Sequence, residues 1–419
     1  MRSDWVSTER AAMLLRWSPR RGAAAMRQAV HRGMRRFACA PIYPILLGLI
    51  VLTMAPSAMA GAGGQQRQNV GAKGAVIVGI NRTNLAWESA EVRKSTVEAM
   101  RRAGVRVVRL SWREPLQAMR DVLDHARAND LAVLIEIPIE KNVVRKDAVR
   151  RPGNERLGAR YRLSDLSLLR FEDFLGDLAA AIGERPLRLV AIQLGNEINW
   201  ADFNGDLPLL DPGEGFEQVE DLPAHHLEAF EKGLRLYARA LRTLLSFRDR
   251  TPSLAGVPIL TAGLTELSEA IPASGGSMVG RAATLQRLEA LGGLAAADGV
   301  ALHIYRPFRH KLAPTPKHSL PLLAQELAPC GARPTTYKPC WITEFGSGLA
   351  PGSCPSDDGR RARQIDVFFD EISRVGSRVV AGAFYYDWDQ GRPWAVFRCG
   401  EVTEAGRALV HWSEKLAAP

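Results

Sequence analysis

The chain has 419 residues, 46% of them hydrophobic and 24% charged. This globular composition excludes a disordered chain and leaves room for one large α/β barrel or roughly two to three average domains. The formal net charge is +10, but the first 60 residues hold nine Arg, no Lys and two acids, a net of +7 that leaves +3 for residues 61–419. With the basic excess confined to one end, the general argument for a nucleic acid partner fails.

That end reads as an export signal. Arg32, Arg35 and Arg36 precede an apolar run over Ile42 to Met54, and Ala58-Met59-Ala60 places small residues before Gly61, where a signal peptidase would cut. Residues 1–33 are long for a positive flank, so Met26 or Met34 is an alternative start, and Arg35-Arg36-Phe37 hints at twin-arginine export. An uncleaved membrane anchor is disfavoured, because Pro44 interrupts the apolar run and the run falls short of the ~20 residues needed to span. The expectation is a secreted or periplasmic protein with no membrane span in the mature chain.

Cysteine usage agrees with export. Outside the leader lie Cys330, Cys340, Cys354 and Cys399, an even number suited to an oxidising compartment. Cys330 and Cys340 flank a short Gly/Pro-containing connection and are expected to pair, leaving Cys354 with Cys399. No C-x-x-C spacing or paired-histidine motif suggests a metal, and no cofactor motif is present.

After a Gly/Gln-rich lead-in over residues 61–73, strand and helix patterns alternate from residue 74 to the end. Ala75 to Gly79 reads as a strand and Ala90 to Ala103 as a helix; Val105 to Leu110 and Pro115 to Ala128 repeat the pair. Leu131 to Ile139 is the third strand, followed by a helix over Ser164 to Ile182 with Ser164 as its cap and Gly183 as its stop. Val190 to Leu194 precedes a helix over Pro223 to Phe247, and Val257 to Thr261 precedes Arg281 to Leu291. The last three pairs are Gly299 to Ile304 with His318 to Leu327, Trp341 to Thr343 with Gly359 to Arg374, and Val379 to Tyr385 with Thr403 to Leu416. Eight such repeats with continuously apolar strands predict a single (β/α)8 TIM barrel. An open doubly wound sheet is the alternative, but no G-x-G-x-x-G follows the first strand.

A barrel gathers the polar residues at the carboxyl ends of its strands into one bowl. In chain order these are Asn81 and Arg82, Arg109 and Trp112, Glu136 and Glu140, Asn196 and Glu197, Thr265, His303 and Tyr305, Glu344, then Tyr386 and Trp388. Two acids on facing strands, one Arg, several aromatics and no phosphate-cradling loop make the inventory of a sugar cleft. Glycoside hydrolysis needs a proton for the leaving oxygen and an anion to meet the oxocarbenium-like centre, and Glu197 with Glu344 would supply both.

These residues, in this strand order, resemble the clan of (β/α)8 retaining glycoside hydrolases that includes cellulases, β-mannanases and β-galactanases. The resemblance covers most of residues 74–419 in architecture and rests on few motifs. It implies that Glu197, after Asn196, is the acid/base and Glu344 the nucleophile, with Asn196 on the sugar 2-hydroxyl. It further implies that Arg109 braces the nucleophile, that His303-Ile304-Tyr305 is the clan's element after strand six, and that Trp388 floors a sugar subsite. A polysaccharide substrate, double displacement and a carboxyl separation of about 5 to 5.5 Å follow.

Other readings remain open at several of these positions. Arg109 could serve a structural acid, His303 could be a satisfied core histidine, and Trp87, Trp112, Trp200 and Trp394 could be core, although sugar stacking is a reasonable role for Trp112 and Trp200. Glu136 and Glu140 could replace either acid. A barrel that only binds glycan, within an export or surface assembly, is the alternative function. Residues 141–162 hold eight bases and two acids, and residues 202–220 are acidic. The two loops either neutralise one another or the first accepts an anionic polysaccharide.

Overall fold

The computed structural model describes residues 75–151, 160–183, 187–210, 215–266, 277–305, 316–331, 338–348, 354, 358–389 and 393–417. The expected signal segment and lead-in lie outside the described residues. Among those described, no helix is long and apolar enough to cross a membrane.

Eight parallel strands alternate with eight helices. The strands are β1 (Ile77–Asn81), β2 (Val107–Ser111), β3 (Ala132–Ile137), β4 (Leu189–Leu194), β5 (Ile259–Leu260), β6 (Val300–Ile304), β7 (Cys340–Phe345) and β8 (Val380–Tyr385). The helices are α1 (Ala90–Arg102), α2 (Leu116–Ala128), α3 (Leu168–Ile182), α4 (Ala224–Arg250), α5 (Arg281–Ala290), α6 (Pro316–Gly331), α7 (Gly359–Val375) and α8 (Glu404–Ala417). A two-residue hairpin, β9 (Phe397–Arg398) with β10 (Glu401–Val402), precedes α8. The sheet order is β5-β4-β3-β2-β1-β8-β7-β6, and single parallel bridges Leu260↔Gly299 and Leu264↔Leu302 close β5 onto β6. This is the expected TIM barrel.

Its weakest seam is β5, which contributes two residues. Tyr237 of α4 compensates there: its hydroxyl donates to the Leu194 carbonyl at 2.7 Å and accepts the Ala262 amide at 2.7 Å, tying the ends of β4 and β5. Helix ends follow sequence rules with one correction. The cap of α3 is Ser167, whose hydroxyl accepts the Arg170 amide, while the expected cap Ser164 sits in a 3-10 turn over Leu163–Asp165. Ser164 instead gives its amide and hydroxyl to Asp206 at 2.8 and 2.6 Å. The termination of α3 at Gly183, with φ of +70°, is as expected.

Two apolar shells position the site. The larger one, between strands and helices, includes Val108, Ile135, Ile192, Leu302, Ile342, Phe345 and Ala383. The smaller one fills the barrel interior with Val107, Leu134, Ala191, Leu260, Ala301, Trp341 and Phe384. Each fully buried Val, Leu, Ile or Phe among them contributes about 1.5 to 3 kcal/mol. Side chains alternate along a strand, so the residues two positions beyond this floor also point inward. These are Arg109, Glu136, Gln193, His303, Thr343 and Tyr386, a polar layer lying directly on an apolar one.

One disulfide joins Cys354 to Cys399, as expected from the sequence, with Cα atoms 6.1 Å apart. Cys340 is also disulfide-bonded. The side chain of Cys330, its expected partner, lies outside the described residues.

Candidate active site

Arg109 organises the polar layer. Its side chain is fully buried in β2, and its guanidinium donates to Asn81 at 2.7 Å, Glu344 at 2.8 Å, Asn196 at 2.9 Å and Gln193 at 3.2 Å. Four strand ends, β1, β2, β4 and β7, are thereby fixed around one cation. Asn81 completes the frame, its amide donating to the carbonyls of Thr343, Phe384 and Tyr385.

The two carboxylates meet across this frame. Oxygens of Glu197 and Glu344 and a ring nitrogen of His303 all lie within 4.8 Å of one another. His303 Nδ1 is 2.7 Å from Glu197 and 3.6 Å from Glu344. The Tyr305 hydroxyl donates to the second Glu344 oxygen at 2.7 Å. Glu344 is therefore held on both oxygens, one by Arg109 and one by Tyr305, whereas among the described residues the Glu197 carboxylate is bonded by the imidazole alone.

Local backbone irregularity brings both acids to this point. Leu302 pairs with Ile342 but His303 pairs with Glu344, so Thr343 is an extra residue on β7. This bulge turns Thr343 and Glu344 both toward the interior, a common use of bulges beside active sites. Glu197 has φ of +41°, in the left-handed region that non-glycine residues adopt at a cost on the order of 1 to 3 kcal/mol. Its amide donates to the Gly263 carbonyl at 2.9 Å, which holds it there. Gly263 has a second role: a Cβ at this position would stand 2.1 Å from His303 Nε2 and 2.9 Å from Thr343 Oγ1. Only a residue without a side chain leaves His303 its place.

These surroundings divide the pair electrostatically. Burial pushes the Glu197 carboxyl above its usual range; His303 opposes this and the neighbouring Glu344 charge adds to it. Burial would raise Glu344 as well, but His303, Arg109 and the Tyr305 hydroxyl together hold it below the usual range. The shifts run in opposite directions, favouring the protonated form of Glu197 and the ionised form of Glu344. The same three side chains would also suit a small cation by donor type. Arg109 and Tyr305 already donate to both oxygens of Glu344, and a dication there would face the guanidinium.

The structure thus brings together Arg109, Asn196, Glu197, His303, Tyr305 and Glu344. Trp388 is buried outside the barrel wall, stacked on Phe397 at 4.9 Å and packed beside Val78, Ile80 and Leu409. It does not floor a subsite. Trp112 is buried edge-on to Phe174 of α3 at 5.5 Å, and Trp200 lies half-buried against Phe203 at 5.6 Å. The strand phase explains the first two: the chain leaves regular pleating at Tyr386 and at Ser111, and the next tryptophan turns to the helix layer. Glu140 is not in the centre but at the rim, paired with Arg113 and Arg150 at 3.5 and 3.1 Å. Glu136 is buried in the inward row, and its Oε1 has no hydrogen-bond partner among the described residues.

Sequence reasoning placed Asn81 and Tyr386 in the strand-end bowl without a specific role, read Trp394 as core, and did not single out Gln193 or Gly263. Tyr386 lies near the carboxylates: burial, and then the Glu344 charge, push its hydroxyl pKa up. Trp394 meets Tyr305 edge-on at 5.4 Å. Two-residue alternation from the interior floor would have found Gln193; nothing in the sequence marks Gly263 among its neighbours.

No protein-family model matches the sequence, and no curated protein matches it. Among solved structures, Saccharomyces cerevisiae Gas2p in complex with laminaritriose and laminaritetraose is 12% identical, with a TM-score of 0.47 over 82% of this chain and 65% of that one. The virulence factor SghA in complex with its substrate analog salicin is 12% identical, with a TM-score of 0.49 over 81% and 96%. The endo-β-1,4-mannanase from Thermotoga petrophila is 11% identical, with a TM-score of 0.43 over 82% and 77%. The chain spans about two thirds of the length of the Gas2 structures, 64% in the complex with compound 8.

Proposed function

We propose that this protein is a secreted retaining β-glycoside hydrolase that cleaves a polysaccharide by double displacement. The observation that carries the reading is the Glu197 and Glu344 pair, with oxygens within 4.8 Å and oppositely shifted protonation. So short a gap suits attack by one carboxylate on the anomeric carbon; inversion needs more than about 6.5 Å to seat a water.

Glu197 protonates the departing glycosidic oxygen while Glu344 bonds to the anomeric carbon, giving a covalent glycosyl-enzyme. Glu197, now ionised, then takes a proton from water, which breaks the ester and returns the sugar with its original configuration. Arg109 and Tyr305 keep Glu344 ionised and aimed, and Asn196, anchored by Arg109, offers its amide to the sugar 2-hydroxyl. The Cys354–Cys399 disulfide supports an oxidising compartment.

The test is a polysaccharide panel with wild type, Glu197→Ala and Glu344→Ala, each with added azide. Glu197→Ala is expected to release β-azide product and Glu344→Ala α-azide product. Undiminished hydrolysis by both variants would remove the assignment.

A further inference from the structure

Much of the expected basic loop is neutralised by its surroundings. Arg145 pairs with Asp165 at 2.8 Å and Asp147 at 3.4 Å, and Arg160 donates to the Asp202 carbonyl. One part differs. An antiparallel bridge between Arg151 and Arg160 brings Arg150 beside Tyr161, its guanidinium 5.1 Å from the ring centroid. Arg113, on the β2 to α2 connection, stands 5.1 Å over the ring of Trp87, which is 61% exposed. Both guanidiniums converge on a single carboxylate, Glu140.

All of these residues follow β1, β2 or β3, on the face that carries Glu197 and Glu344. The group presents two guanidiniums, one carboxylate and two aromatic faces. Guanidiniums grip carboxylates through paired hydrogen bonds, and aromatic rings stack on sugar faces. Resting on the glycosidase reading above, we infer that Arg113 and Arg150 form a subsite for an acidic sugar, whose carboxylate takes the arginines now shared with Glu140 while Trp87 or Tyr161 receives the ring. The substrate class is a uronate-bearing polysaccharide.

Binding of short glucuronan and mannuronan oligomers and of their carboxyl-reduced counterparts, measured calorimetrically on a Glu344→Gln background that prevents turnover, tests the inference. At least one acidic oligomer is expected to bind about tenfold more tightly than its reduced form, with the margin shrinking as salt rises. Arg113→Gln with Arg150→Gln should erase the margin, and Arg150→Glu, at a position 52% exposed, should reverse it. Equal affinity for every acidic and reduced pair, or a margin that survives the substitutions, overturns the subsite. Failure of the glycosidase reading looks different: no polymer of either charge is cleaved. Cleavage of neutral polymers alone, indifferent to Arg150, removes only the acidic subsite.

Discussion

Two arginine and glutamate pairs on the same face of the barrel show how position changes what one chemistry does. Arg109 meets Glu344 with side chains 0% and 12% exposed; Arg113 meets Glu140 at 18% and 43%. The buried pair cannot readily exchange partners, because every nitrogen of Arg109 donates to a residue at a strand end, and its charge is a fixed part of the site. The rim pair gains little from its own attraction in high dielectric, so an incoming carboxylate can replace Glu140 at small cost. Burial turns the first into machinery and exposure leaves the second available to a ligand.

Substitutions separate the two. The largest effect is expected from Glu344→Gln, with kcat falling at least about 10⁴-fold while the melting temperature changes little by comparison. Arg109→Met leaves Glu344 buried without its cation and should destabilise the fold by about 3 to 5 kcal/mol in chemical denaturation, besides abolishing most activity. A melting temperature equal to that of wild type would show that the frame around Asn81, Asn196 and Gln193 does not need its centre.

Gly263→Ala should come next, at roughly 1 to 3 kcal/mol of stability, since the added methyl must displace His303 or Thr343. A distinct prediction is a kcat loss without a comparable rise in KM, because His303 orients Glu197 and does not hold distant sugars. The alkaline limb of the pH profile should shift as well, which a general loosening of the barrel would not produce.

The pH dependence of stability distinguishes the two acids. The folded-state pKa of Glu197 is raised, so its contribution is full below the ordinary Glu range near ~4.3 and is lost as pH rises through the elevated value. That of Glu344 is lowered, so its contribution is full above the same range and is lost as pH falls through the depressed value. Thermal melts of Glu197→Gln should therefore lose the alkaline decline and keep the acidic one. The kcat/KM profile should be a bell whose limbs belong to the coupled pair. The smallest effect is Arg150→Gln alone, within about 1 kcal/mol of wild-type stability, as an exposed ion pair predicts. A larger loss would mean that the rim pair is structural after all.

The eight apolar strands were legible because each is short, continuously hydrophobic and closed by turn residues, as strands buried on both faces must be. The six polar residues at the centre were legible because a barrel makes strand ends converge. The tryptophans were not, since a residue just past a strand has no defined phase. Trp388 and Tyr386 are two positions apart, yet one lies behind β1 and the other lies near the carboxylates. The bulge at Thr343 was invisible for a related reason: it is a mismatch of register between β6, β7 and β8, and exists only when the three are paired.

The sequence by itself determined the repeat of strands and helices and the gathering of polar residues, Glu197 and Glu344 among them, at the strand ends. These depend on periodicity and order along the chain. Tertiary structure alone decided that Glu344 is gripped by Arg109 and Tyr305 while Glu197 meets His303, and that Glu140 sits among arginines at the rim. Protonation depends on burial and on charges brought from distant strands, and neither is a property of a residue's neighbours in sequence.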